Sequence, residues 1–399
     1  MMRMEEFDVI IIGAGPAGLR AAIKLAEQKA NVLCIDKKQE IGVPKRCGEG
    51  LGIGWFEKLG LKPDRRWAIQ PIYGAALYSP SGKMVEVKFN EASGYILERR
   101  VFEKELAKEA ARKGAKIRCK CHAAGFKRSS GKVIVDCIQD GEPVQYAAPL
   151  IIAADGTESL AARKMGLDTA IKLDDIDSGY QYEMAGIEFN HPEYIHLFFG
   201  NDVARRGYVW VFPKGKNEAN VGVGVSGTAG ATAKSYLDKF ISSHDGLRNG
   251  SIIEVNAGSI PVGGFLEDMA ADNLLVIGDA AHQVNPIHGG GIGIAMEAAD
   301  VASGVAAKAL KANNFSHSFL QQYNSQWYER RGNKLKGILK RRHMLESLSD
   351  KDFETIANSF TGSDVLKIAE GDLLQSAKIV AKKLVRHPKL AKIMLKYLK

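Results

Sequence analysis

The feature that most limits this chain's possible folds is a glycine-rich turn between two buried-strand signals near its start. Phe7 to Ile12 is a short apolar run, the pattern of a parallel strand covered on both faces. Gly13-Ala14-Gly15-Pro16-Ala17-Gly18 follows, and Leu19, Ala22, Ile23 and Ala26 then recur at helical spacing. Asn31 to Ile35 is a second apolar run, and it ends at Asp36. Together these make one βαβ unit with G-x-G-x-x-G at its turn. Gly13 permits the tight turn, Gly15 lets a pyrophosphate approach the backbone, and Gly18 lets helix and strand pack closely. The helix N-terminus offers unpaired N–H groups and a positive dipole end to phosphates. Asp36 stands where a carboxylate accepts hydrogen bonds from ribose hydroxyls. The unit predicts an α/β fold that binds a dinucleotide.

A second match, Gly222-Val-Gly224-Val-Ser-Gly227, lies within alternating Gly and Val and reads as a glycine-rich strand. From about Asp174 to Gly227 the pattern shifts to alternation, with Val209, Val211, Val221, Val223 and Val225 marking antiparallel strands. Leu150 to Ala154 and Leu274 to Ile277 return to the buried-strand pattern, followed by Asp155-Gly156 and Gly278-Asp279. Helices are expected over Glu98 to Gly114 and Ile292 to Leu310. The segment from Ile41 to Gly54 reads as a loop. A single core rarely grows past ~250–300 residues, so 399 residues imply two closely packed domains. The expected division is residues 1–173 and 271–330 for the two parts of the nucleotide-binding domain. An antiparallel sheet for substrate occupies 174–270, and a basic helical region 331–399.

Composition narrows the function classes. Net charge is +9, which favours a phosphorylated substrate or an anionic membrane surface. Nucleic acid is not expected, because few aromatics interleave with the charge and no known binding module is visible. The five cysteines lack paired spacing, and no metal-ligand cluster or serine nucleophile elbow is evident. No apolar run reaches the ~20 residues that span a bilayer, and the N-terminus lacks a signal-peptide core. A cytoplasmic location is expected. Tyr208, Trp210 and Phe212 alternate, so they share one face of a strand and could wall an apolar tunnel or underlie the sheet as core.

Asn273-Leu-Leu-Val-Ile-Gly278-Asp279-Ala-Ala-His282 resembles the flavin motif of the para-hydroxybenzoate hydroxylase-like superfamily. There the aspartate accepts a hydrogen bond from the FAD sugar or ribityl chain. Asp155-Gly156 resembles that superfamily's second short motif. Arg99 matches its arginine near the FAD phosphates, with the adjacent Arg100 as the alternative. Within the superfamily, residues from about Phe7 to Trp327 resemble archaeal geranylgeranyl reductases. Three segments carry this: Pro44-Lys-Arg46-Cys47-Gly48-Glu49-Gly50, Tyr208-Val-Trp210-Val-Phe212-Pro213, and Asn285-Pro286-Ile-His288-Gly289-Gly290-Gly291-Ile292. One departure is Arg205, where the family's aromatic motif begins with proline.

The resemblance implies a Rossmann-like FAD-binding domain with an inserted antiparallel β-sheet substrate domain and a helical C-terminal region. It implies FAD contacts at Gly13, Ala14, Gly15, Ala17, Gly18, Asp36 and Lys37. Further contacts are implied at Arg46, Cys47, Gly48, Arg99, Ala124, Asp155, Gly278, Asp279, Gly290, Gly291 and Ile292. Tyr208, Trp210, Phe212 and Pro213 would meet the lipid. The implied reaction saturates C=C bonds of geranylgeranyl chains in archaeal ether phospholipids, with hydride from reduced flavin and a proton from Cys47 or water. The alternative is an FAD monooxygenase using NAD(P)H and O2 on an aromatic ring. The electron donor is left open among NADPH, ferredoxin and another reduced carrier. Arg46 beside Cys47 is expected to lower the thiol pKa if the two side chains approach. His282 and His288 flank the second flavin loop, where each would contact flavin or serve the structure. The tail from Lys378 to Lys399 reads as two amphipathic helices broken at Pro388, lying either on a membrane surface or on the protein.

Overall fold

A computed structural model describes residues 4–370, 378–380, 382–384 and 390. The rest of the basic tail, including the expected break at Pro388, lies outside the described residues.

The apolar runs form the centre of a six-stranded sheet. Val9–Ile12 lies between Val32–Ile35 and Leu150–Ala153, in parallel with both. Leu274–Val276 and Lys116–Arg118 extend the parallel sheet on either side, and Ala270–Ala271 adds a short antiparallel edge. Every residue of the three central strands is buried, so they read as continuous apolar runs without alternation. Helices Pro16–Glu27 and Ile292–Ala312 pack against each other on this sheet. Arg20 ties them with a two-point contact to Asp300, Nε to Oδ1 at 2.6 Å and Nη2 to Oδ2 at 2.9 Å.

A seven-stranded sheet stands beside it, in the order Ser251–Pro261, Ile176–Ala185, Glu218–Ser226, Tyr208–Pro213, Tyr194–Phe199, Gly74–Tyr78, Met84–Lys88. All neighbours are antiparallel except Tyr194–Phe199 with Gly74–Tyr78. The sheet therefore draws two strands from before residue 174 and is not confined to 174–270. Its period-2 pattern separates two faces. Val209, Val211, Val221, Val223, Val225 and Tyr182 pack under helix Ala233–Ser242, against Leu237 and Phe240. The other face carries Trp210 opposite Gly222. A Cβ built on Gly222 would lie 2.3 Å from Trp210 Cζ2, so glycine alternates with valine because an indole lies across the strand. The second G-x-G-x-x-G is thus a strand, as its pattern suggests.

Helices Asn333–Glu346, Asp350–Ser359 and Gly362–Glu370 follow the parallel-sheet domain. Arg342 is buried, donates to the Pro286 carbonyl at 3.1 Å and pairs with Asp177 at 2.9 Å. That joins the C-terminal region to both the second glycine loop and the sheet. Among the described residues no helix is long and apolar enough to cross a membrane.

Candidate active site

A cleft of about 460 Å³ runs from the carboxyl end of the parallel strands to the exposed edge of the antiparallel sheet. Gly13, Gly15, Asp36, Lys37, Arg46, Cys47, Gly48, Arg99, Asp155, Asp279 and Trp210 all line it, gathered from points far apart in sequence. Gly13 adopts φ +103°, and its N–H donates to Ile35 O at 2.8 Å, which closes the turn. A Cβ on Gly18 would fall 1.9 Å from Gly13 O, so that glycine serves helix–strand packing. At Gly15 a Cβ would meet no protein atom within 4 Å. The space over the helix N-terminus is open where a pyrophosphate would lie. Asp36 Oδ2 accepts the Ala14 N–H at 2.9 Å, and its carboxylate still faces the cleft. Lys37 pairs with Glu158 at 2.5 Å across the same end.

Ala17 lies behind the cleft, 3.1 Å from where a Cβ on Gly278 would stand. Gly290, Gly291 and Ile292 lead into helix Ile292–Ala312 and are not among the lining residues. Gly291 nonetheless backs Asp279, with a built Cβ 3.2 Å from Asp279 Oδ1. Ala124 also stands aside from the lining, and its neighbours Ala123 and Phe126 face the cleft. A register shift between Ala123 and Gly125 turns the strand at that point. Arg99 lines the cleft. Arg100 is not among the lining residues and pairs with Glu98 at 2.9 Å. Burial pushes the Asp155 and Asp279 carboxyls above their ordinary range, and the Arg99 guanidinium pulls Asp279 part of the way back.

Two buried polar atoms on cleft-lining residues have no partner among the described residues: Asp155 Oδ1 and Asn256 Nδ2. Orphaned buried polar atoms are rare in folded proteins and call for a ligand or water. With the open space at Gly15 and the acid at Asp36, they fit an extended dinucleotide such as FAD.

The loop through Cys47 does not pair its thiol with Arg46. The Arg46 side chain is 56% exposed and pairs with Glu158, at 3.8 Å. Burial pushes the Cys47 thiol up, and the Arg99 guanidinium and the Glu49 N–H oppose this only in part. The expected pKa depression is therefore replaced by a thiol that keeps its proton. Its sulfur accepts the Glu49 N–H at 3.1 Å.

The same loop touches the aromatic strand. A Cβ on Gly48 would stand 3.0 Å from Phe212 Cε2 and 3.4 Å from Trp210 Nε1. Tyr208, Trp210 and Phe212 form a row, with successive ring centroids 5.9 and 6.2 Å apart. Pro213 is buried at the end of that strand and does not line the cleft. On the far side of Trp210 lies a second cavity of about 90 Å³, walled by Tyr208, Phe199, Ile260, Leu345, Leu348 and Phe353 among others. Trp210 and Ile260 line both spaces. His288 lines the second cavity, and its carbonyl accepts the Tyr208 hydroxyl at 2.8 Å; His282 is buried and lines neither.

Gln181 and Asn256 went unnoticed in the sequence. Gln181 Nε2 donates to Cys47 O at 3.1 Å, and its Oε1 accepts Trp210 Nε1–H at 2.9 Å. It ties the thiol loop to the indole. Asn256 stands directly opposite Gln181 on the edge strand. The available signal was a polar residue at an inward position of each strand.

The fold and the cleft define a flavoprotein in which an α/β FAD-binding domain meets an antiparallel sheet. A family model described as geranylgeranyl reductase catalytic domain matches residues 175–260, and one described as FAD binding domain matches 6–202. Digeranylgeranylglycerophospholipid reductase 1 of Methanosphaera stadtmanae is 41% identical over 93% of each chain. Digeranylgeranylglycerophospholipid reductase of Methanocaldococcus jannaschii is 40% identical over 91% of this chain and 94% of its own. The crystal structure of a geranylgeranyl bacteriochlorophyll reductase-like protein from Thermoplasma acidophilum superposes with a TM-score of 0.89 at 32% identity, covering 99% of this chain and 100% of that one. The chain belongs to the digeranylgeranylglycerophospholipid reductase family and is an FAD-dependent oxidoreductase.

Proposed function

We propose that the protein saturates C=C bonds in the geranylgeranyl chains of archaeal ether phospholipids. The observation that carries this reading is the contact of Gly48 with Phe212 and Trp210, which sets the Cys47 loop against an aromatic wall. A long alkene needs an apolar lining with few polar groups; Trp210 supplies one in the cleft and, with Tyr208, in the second cavity, while Phe212 lines neither and stands beside Trp210. When bound, reduced FAD supplies the hydride that saturation of one double bond requires. Gly13, Gly15, Asp36, Arg99, Asp155 and Asp279 would hold it. Trp210 and Ile260 orient the chain where the two cavities meet and keep water from it. The Cys47 thiol holds a proton that goes to the second alkene carbon, directly or through water.

The two electrons consumed per bond come from NADPH, ferredoxin or another reduced carrier. The second glycine motif is strand, so it does not provide a separate nucleotide turn for that donor. We place the enzyme on the cytoplasmic side, in peripheral contact with the membrane that holds its substrate. The test is anaerobic reduction with dithionite, addition of a geranylgeranyl phospholipid, and mass spectrometry. Mass gain in hydrogen pairs is expected. Gain of oxygen on readmitting air would identify a monooxygenase instead.

A further inference from the structure

We infer that Glu49 is a positioning residue for Cys47: its anchored carboxylate holds a left-handed backbone turn that aims the Glu49 N–H at the Cys47 sulfur. The inference rests on the reading of Cys47 as the holder of the transferred proton.

Glu49 has φ +74°, a conformation that glycine adopts freely and glutamate does not. Its neighbours on both sides, Gly48 and Gly50, are glycines, yet the left-handed position itself carries a glutamate. Such a placement persists only when the surroundings over-determine it. Here they do. The side chain is fully buried. Oε1 accepts the Arg99 N–H at 2.7 Å, where helix Arg99–Arg112 begins. Oε2 accepts from Asn220 Nδ2 at 2.7 Å, Lys45 Nζ at 3.1 Å and Lys214 Nζ at 3.2 Å. Lys214 directly follows the aromatic strand, and Asn220 sits on the glycine strand opposite Phe212. One carboxylate thus binds the thiol loop to the FAD-binding domain and to the substrate sheet together. Burying a charge among other charges is a poor route to stability, and its best use is to select one geometry. The geometry selected is that of Cys47, whose sulfur takes the Glu49 N–H at 3.1 Å and whose carbonyl takes Gln181 Nε2 at 3.1 Å.

The network also permits a clean test. Without Glu49, Lys214 keeps Glu98 at 2.8 Å and Glu183 at 3.1 Å, and Lys45 keeps Glu183. Neither buried lysine is left unpaired, and glycine relieves the backbone at position 49. In full-length, FAD-loaded Glu49→Gly, flavin content and dithionite reduction should match the parent. The kcat for lipid reduction should fall on the order of 10²-fold with KM unchanged, the effect of a misplaced reacting group. Iodoacetamide should label Cys47 several-fold faster, read by peptide mass spectrometry, because the sulfur is no longer held. Parental kcat and labelling in Glu49→Gly would overturn the inference. Cys47→Ser, assayed alongside, separates the two levels. Full turnover there removes the proton role of Cys47, whereas impaired Cys47→Ser beside unimpaired Glu49→Gly removes Glu49 alone. Should Glu49→Gly fail to fold, Asn220→Ala takes its place, since it deletes one donor to Glu49 together with an oxygen that has no partner among the described residues. Faster labelling in Asn220→Ala supports the inference, and unchanged labelling overturns it.

Discussion

At Gly15 an added side chain meets no protein atom within 4 Å, whereas at Gly13 it would lie 2.3 Å from the Ala154 carbonyl oxygen and would need φ +103°. Gly13 therefore answers to the fold and Gly15 to the ligand, although both belong to one motif. Gly15→Val should leave the melting curve of the FAD-free protein intact while abolishing flavin retention on a desalting column. Full FAD occupancy in Gly15→Val would mean the pyrophosphate lies elsewhere. Cys47 permits a prediction in pH. If Cys47 gives the proton, as proposed, the acting form is the protonated thiol, and burial raises its pKa above that of a free thiol, about 8.5. The rate of flavin reoxidation by the alkene should hold through neutrality and fall only as pH rises through the raised value, since a thiolate has no proton to give. Cys47→Ser should lose that alkaline limb along with most of the rate. A limb centred below about 8.5 would contradict the burial. These residues were legible because their motifs are local. The ties of Gln181 to Trp210 and of Glu49 to Lys214 were not, because these partners lie far apart in the chain and pairing at such range leaves no spacing to read.

Among the elements, the glycine strand and the aromatic strand depend on each other. Trp210 stands opposite Gly222, and the indole occupies the volume that a side chain there would need. Gly222→Ala puts a methyl group 2.3 Å from Trp210 Cζ2, so the ring must shift. Overpacking of this kind costs about 1–3 kcal/mol. Because the displaced ring lines both cavities, lipid turnover should drop by about tenfold or more while FAD stays bound. Steady-state kinetics with flavin absorbance on the same sample checks this, and unchanged turnover would show the aromatic row to be core alone. The alternation of Gly and Val was readable as a strand, and so were the buried runs of the parallel sheet. The strands Gly74–Tyr78 and Met84–Lys88 escaped notice. They pair with Tyr194–Phe199 and with each other, so half of their sheet context lies more than a hundred residues away. The chain enters the seven-stranded sheet twice and leaves it twice, and local hydrophobicity carries no record of such a crossing.

For the whole molecule, the distribution of charge matters more than its total. The net charge is +9, and the tail from Lys378 to Lys399 alone holds eight Lys or Arg and no acid. The remainder of the chain is close to neutral, so attraction to an anionic surface would concentrate at one place. Two described points show how the tail meets the body. Lys383 Nζ pairs with Asp364 at 2.7 Å and donates to Ser359 O at 2.9 Å, and Leu390 is buried. Lys383 therefore rests on the helices Asp350–Ser359 and Gly362–Glu370, and the first of these lines the second cavity through Phe353. If the rest of the basic segment lies near Lys383, its cations would face an anionic surface from the side of the molecule that holds the second cavity. Each cation near an anionic surface contributes about 1 kcal/mol, and the attraction weakens as salt screens it. Full-length protein should float with vesicles containing anionic lipid, and less so at high salt. A chain ending at Gly371 should float poorly yet keep its FAD, because among the described residues the cleft draws none from beyond Asp279. Equal flotation of the two proteins would move any membrane contact to another face. Aggregation of the shortened chain with loss of flavin would instead make Lys383 and Leu390 part of the fold's own support.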